Sequence, residues 1–296
     1  MNTSPWWRSR EVRGLAYALP TALFVVVFFV LPLFLVGQMS ASDWPLLTGD
    51  AGLNFPDNYS AVRSNTLFWP AVGFTLKYTG IVVVLLLGLA MFMALLVQEA
   101  GPGVRFFRTA YFLPTALGLA SASLLFWGFY SPSIGPLTPL FQSLGFIDEP
   151  ISWIGTPNMA LFSTVALIVW KFAGFYMLIL LVGLQSIPDD IFEAARVDGA
   201  SRWQTFRSIT LPLLRPSLAL TLILSVTGSL LAFDQFFILT KGGPDNTTVT
   251  VVQLIYREAF QRLDLGTAAA LSVIVLAVLL ALNFAQFRFL RRRVDA

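Results

Sequence analysis

The chain has 296 residues, of which 56% are hydrophobic and only 12% charged, with a mean hydropathy of +0.75 and a formal net charge of +3. Soluble domains carry about 25% charged residues, so this apolar excess does not fit inside one soluble core. Cysteine and histidine are both absent, which excludes disulfide scaffolds, thiol nucleophiles, His-based metal sites and Ser-His-Asp triads.

The apolar residues fall into six long runs: approximately Leu15–Val36, Phe74–Val97, Ala110–Tyr130, Ala160–Leu184, Pro216–Leu239 and Thr267–Phe289. A bilayer core of about 30 Å takes about 20 apolar residues of helix, and such a segment satisfies its own backbone groups only as a helix. The reading is an all-α, polytopic membrane protein with six transmembrane helices. Its parts are a short N-terminal segment, 1–14, a membrane domain, 15–290, containing a polar loop at 185–214, and a tail, 291–296. Basic residues precede the first run and Met39-Ser40-Ala41 loosely resembles a cleavage site. At about 22 residues the run exceeds the 7–15 of a signal-peptide core, so a retained anchor is expected.

Basic residues are kept on the cytoplasmic side of a membrane. With both termini inside, the inner segments hold Arg8, Arg10, Arg13, Arg105, Arg108, Arg196, Arg202, Arg207, Arg215, Arg288, Arg291, Arg292 and Arg293, against Arg63, Lys241, Arg257 and Arg262 outside. Both ends are therefore expected in the cytoplasm, and the segments 37–69, 131–159 and 240–266 become outer loops with short helices. The pI of about 9.4 does not indicate nucleic acid, because the basic residues are spread over membrane-flanking loops rather than gathered on one face.

Ionisable groups within spans are costly and draw notice by default. Lys77 lies near the start of the second run, where its amine reaches the interface by snorkelling. Lys171 lies near the middle of the fourth, too deep for that; structural pairing and a place on a solute path both remain open.

The segment Gln185–Leu214 carries Asp189, Asp190, Glu193, Arg196, Asp198, Arg202 and Arg207, too many charges for burial in lipid. Ser186-Ile187-Pro188-Asp189 has capping-box spacing and predicts a helix start at Ser186. Ile191, Ala194, Ala195 and Asp198 recur at helical spacing, Gly199 is a natural stop, and Ser201 offers a new cap. In the second short helix Trp203, Phe206 and Ile209 form an apolar stripe, and Pro212 and Pro216 mark the return to the membrane. Two such helices need a cover, either the headgroup layer or a groove on a partner protein.

Glu193-Ala194-Ala195, then Gly199, then Ile209-Thr210-Leu211-Pro212 resembles, at every fixed position, the signature of the membrane subunits of bacterial binding-protein-dependent ABC importers. The resemblance implies a type I ABC importer permease fold. It implies that this loop, with Asp198, Ala200, Trp203 and Phe206 among its residues, is a coupling helix seated in a cleft of a cytoplasmic ATPase. Two alanines allow close approach, Glu193 offers a charge-assisted contact, and Gly199 permits the turn.

Further on, Phe233, Asp234, Gln235, Phe236 and Phe237 set aromatic faces beside amide and carboxylate groups. That combination suits the apolar faces and hydroxyls of a sugar, and it equally suits an interfacial aromatic belt. Gly242-Gly243-Pro244, Thr247-Thr248 and Tyr256 with Phe260 are similar to an outer loop of the carbohydrate branch of the same superfamily, the maltose and glycerol-phosphate permeases. By themselves Gly-Gly-Pro is a turn and the aromatic pair is i,i+4 packing.

The resemblance covers all six runs and implies ATP-driven carbohydrate import across a bacterial inner membrane by a subunit that is not itself an enzyme. It implies four kinds of partner: an extracytoplasmic solute-binding protein or lipoprotein, a second and by analogy different permease, two ATPase subunits, and membrane lipid. ATP and Mg would belong to the ATPase; this chain has no Gly-x4-Gly-Lys-Ser/Thr loop, and no cofactor or metal is expected in it. An importer of a non-sugar solute, such as glycerol phosphate or an amino acid, and a stand-alone carrier are the alternatives.

Overall fold

A computed structural model describes residues 10–99 and 101–291, and these are helical throughout apart from turns and two isolated β-bridges. Five helical stretches are long and apolar enough to cross a bilayer: Tyr17–Ser40, Phe68–Leu96, Pro157–Gln185, Arg215–Leu239 and Leu265–Arg288. A bent pair, Val104–Ala116 with Leu119–Phe129, supplies a sixth. Of the N-terminal segment 1–14, residues 1–9 lie outside the described residues, as do 292–296 of the tail.

The chain divides into two units, Met1–Asn65 with Ile255–Leu276 and Thr66–Leu254 with Ala277–Ala296. In the first, α1 (Arg10–Val25) continues through a π-type turn into α2 (Leu31–Ser40), and no side chain from Tyr17 to Leu35 is buried. Such an apolar, uncovered helix suits lipid or another subunit. In α3 (Asp57–Ser64), Asn58 donates to the carbonyls of Ser40 (3.1 Å) and Ser42 (2.8 Å), fixing the loop that follows α2. Glu258 is buried, accepts from Asn65 at 2.7 Å and pairs with Arg262 at 3.1 Å.

The second unit is built on α4 (Phe68–Leu96) packed along α8 (Pro157–Gln185). Ala71, Thr75, Tyr78, Val82, Leu86, Ala90 and Ala94 recur three or four residues apart, giving α4 one buried face rich in small side chains. Lipid is as apolar as leucine, so close packing rather than hydrophobic exclusion holds such a pair together, and small residues allow it. Lys77 is exposed.

The third apolar run is not the single helix that its composition predicts. It is α5 (Val104–Phe112), a tighter turn at Leu113–Ala116, and α6 (Leu119–Phe129), with 95° between the two arms. Pro114 removes a backbone donor, and Leu117 and Gly118 are both extended, with ψ of 142° and 144°. Arg108 on α5 donates Nε to the carbonyl of Val97 at 3.1 Å, closing the end of α4. Following α7 (Leu137–Ser143), α8 leads to the polar loop, with α9 (Asp189–Val197), α10 (Arg202–Thr205) and α11 (Leu211–Leu213). The fifth run also breaks, into α12 (Arg215–Leu230) and α13 (Asp234–Leu239). Then come α14 (Val251–Tyr256) and α15 (Leu265–Arg291).

Candidate functional site

Two regions of the second unit stand out, a cavity among the spans and the polar loop. The cavity is lined from α4 by Tyr78 and Leu86, from α6 by Leu119, and from α8 by Ile168, Phe172 and Tyr176. From α12 come Ser225 and Ser229, from the break Phe233, and from α13 Asp234 and Gln235. Asp234, half-buried, is the one ionisable carboxylate of this lining, and no lysine or arginine joins it. Gln235 is 2% exposed; its Nε2 donates to the Tyr78 hydroxyl at 3.1 Å, while its Oε1 has no partner among the described residues. A buried acceptor without a partner is costly. Phe236 stays behind the lining, its ring edge-on to Tyr78 at 4.9 Å and to Phe74 at 5.1 Å.

Of the residues expected on a solute path, Phe233, Asp234 and Gln235 line this cavity. Phe237 stacks on Phe233 at 5.0 Å but is not part of the lining. Lys171 is also outside it: the Nζ donates to the backbone carbonyls of Thr115 and Leu117. Tyr78, Tyr176, Ser225 and Ser229 escaped the sequence reading. Ser225 and Ser229 are one helical turn apart inside an apolar run, and Thr75, Tyr78 and Thr79 form a similar polar stripe, which is the signal that marks them.

The break ahead of Asp234 is held by Thr250, which follows the Gly242-Gly243-Pro244 turn. Thr248 Oγ1 lies 2.7 Å from both the Gly243 carbonyl oxygen and Thr240 Oγ1, and Thr250 Oγ1 donates to the Ala232 carbonyl at 2.7 Å. Thr75 Oγ1 in turn accepts from the Val251 amide at 3.0 Å. Tyr256 and Phe260 lie 5.2 Å apart, as their spacing predicts.

In the polar loop the expected start at Ser186 is corrected. Ser186 closes α8, its hydroxyl donating back to the Gly183 carbonyl at 2.7 Å, and α9 begins only at Asp189 behind an extended Pro188. Proline disfavours helical geometry in the residue before it, so Ile187 cannot open the helix. Gly199 has φ of +73°, and the Ala200 amide donates to Ala195 O at 2.9 Å and that of Gly199 to Arg196 O at 3.1 Å. This is a Schellman ending, which needs a left-handed residue after the cap. Ser201 and Gln204 form the reciprocal capping box of α10. Ala195 is buried, whereas Glu193, Ala194, Asp198 and Leu211 are exposed and Ala200, Ile209 and Pro212 half-buried. Trp203, 66% exposed, stacks on Phe206 at 5.7 Å. Val197, at the end of α9, is 87% exposed, so the loop shows solvent uncovered apolar side chains on well-capped helices.

A model of the family described as "binding-protein-dependent transport system inner membrane component" matches residues 101–295. The chain is 32% identical over 282 residues to the multiple sugar-binding transport system permease protein MsmF of Streptococcus mutans, covering 94% of this chain and 95% of that protein. It is 33% identical over 294 residues to the trehalose/maltose transport system permease protein MalF of Thermococcus litoralis, covering 97% and 96%. Among solved structures it superposes with a TM-score of 0.84 and 23% identity, over 99% of each chain, on a chain of a bacterial alginate ABC transporter in complex with alginate pentasaccharide-bound periplasmic protein.

Proposed function

The chain belongs to the inner membrane components of binding-protein-dependent transport systems, a multi-pass membrane protein with the type I ABC importer permease fold, and from that premise we propose that it is one permease subunit of an ATP-driven carbohydrate importer. An extracytoplasmic binding protein delivers the solute, a second permease completes the pathway, and two ATPase subunits bind ATP and Mg. Both termini and the loop 185–214 face the cytoplasm, following the distribution of basic residues. Closure of the ATPase pair, received by α9 and α10, shifts the membrane helices between outward-open and inward-open states.

The observation that carries this reading is the polar loop: a signature matched at each fixed position, folded into capped helices with uncovered apolar side chains. For the solute class, the cavity favours a neutral polyhydroxylated molecule. Tyr78, Ser229 and Gln235 set hydroxyl and amide groups beside aromatic rings, and the lining carries no cation to hold a phosphate. The sugar-permease names of MsmF and MalF support the same choice.

The test is uptake by proteoliposomes holding this chain with its co-purified permease and ATPase, supplied with the binding protein and a panel of radiolabelled sugars, glycerol 3-phosphate and amino acids. ATP-dependent uptake of a sugar is expected, lost with an ATPase unable to hydrolyse ATP. Uptake by this chain alone, or of an anionic solute only, contradicts the reading.

A further inference from the structure

Lys171 is 3% exposed, forms no ion pair among the described residues and does not line the cavity. Its Nζ donates to the carbonyls of Thr115 at 3.3 Å and of Leu117, and Thr115 Oγ1 returns a hydrogen bond to the carbonyl of Lys171 at 2.9 Å. Those carbonyls sit in the 95° bend of the third span. A helix end leaves carbonyls without intrahelical partners, and inside hydrocarbon no water replaces them. Arg108 does the same service at the end of α4, where a loop begins; Lys171 does it from the middle of α8.

A second contact seats the same segment. A Cβ at residue 174 would lie 1.9 Å from the carbonyl oxygen of Tyr111, so Gly174 lets α8 touch the backbone of α5 directly. The arm before the bend is thus fixed against α8, and Lys171 fixes where it stops. From there α6 departs, placing Leu119 in the cavity wall opposite Phe172 of α8, whose ring centre is 5.0 Å from Nζ. The helix α6 also packs along α13, which carries Asp234 and Gln235.

We propose that Lys171 is a positioning residue that pins the bend of the broken third span and thereby sets the α6 wall of the cavity. The role requires a hydrogen-bond donor on a long side chain, not a charge facing an acid. The pin stands by itself; only its consequence for a solute rests on the transport reading of the cavity.

The chain has no cysteine, so it adds no background of its own to paired labels, which are placed with cysteine-free partner subunits. Spin labels at Phe106→Cys and Trp127→Cys, exposed positions on the two arms, are measured by pulsed electron resonance in the assembled complex. Lys171→Met is expected to broaden the distance distribution and shift it toward the about 32 Å that twenty-one residues of continuous helix span, and Lys171→Arg to restore the parent distribution. In a separate series, Ser229→Cys on the cavity wall is titrated with N-ethylmaleimide; a several-fold faster reaction is expected with Lys171→Met and the parent rate with Lys171→Arg. If Lys171→Met is not recovered from membranes, Lys171→Gln, a donor on a shorter chain, carries the same comparison. An unchanged distance distribution overturns the pin. A changed distribution with an unchanged maleimide rate overturns the link to the cavity wall. Neither outcome depends on which solute the complex carries.

Discussion

The hydroxyl of Thr250 donates to the carbonyl of Ala232 over 2.7 Å, and the same oxygen accepts the amide of Gln253 at 3.1 Å. One buried side chain thus opens α14 and holds the break from which α13 carries Asp234 and Gln235 into the cavity. Thr250→Val keeps the shape and removes both bonds, so a loss of about 1–2 kcal/mol is expected. Thermal unfolding of the purified complex checks it. Thr247→Val, on the exposed side of the same turn, is the matched control and is expected to leave the midpoint unchanged.

Gly174 has no room for a side chain, whereas a Cβ at Gly80 meets nothing within 4 Å. Gly174→Val is expected to force α5 from α8 and reduce the yield of folded protein sharply. Gly80→Ala is expected to behave as the parent chain, both read by detergent size-exclusion profiles.

The six apolar runs and the loop signature were legible because each is local: hydropathy sums over one segment, and the signature occupies twenty consecutive positions. The bend was not, although Pro114 and Gly118 stand inside the third run, because both arms are apolar and hydropathy carries no direction. Ser186 misled for a related reason: its spacing to Asp189 fits a capping box, but Pro188 moves the start. The pairing of Tyr78 with Gln235 joins residues 157 positions apart and follows only from how α4 and α13 pack. Lys171 was flagged as a buried cation in mid-span, and its acceptors became visible only with the bend.

Gly199 adopts φ of +73° with nothing crowding its Cβ position, so its requirement is conformational. Gly199→Val is expected to cost about 1–2 kcal/mol locally and to loosen the turn between α9 and α10. Retention of the ATPase on purification and uptake should both fall, with Gly199→Asn milder because asparagine tolerates this geometry. Equal behaviour of the two variants contradicts the conformational account.

Gln235→Leu removes both the bond to Tyr78 and the free Oε1. The expected outcome is a KM for solute uptake raised about ten-fold or more, the scale of one lost hydrogen bond to a hydroxyl, with solute-independent ATPase activity preserved. Asp234→Asn is expected to raise KM less for a neutral solute. Unchanged uptake kinetics in both variants would remove the cavity from the pathway.

The most direct test of the central claim, that the segment Gln185–Leu214 is the cytoplasmic contact for an ATP-driven motor, is the sidedness of a single cysteine at Val197. This residue is 87% exposed on that segment, in a chain otherwise free of cysteine. A membrane-impermeant maleimide is expected to spare Val197→Cys in intact spheroplasts, to label it in inverted vesicles stripped of peripheral proteins, and to be blocked when the ATPase subunits are restored. Labelling from outside intact spheroplasts, or no protection by the ATPase, contradicts the claim.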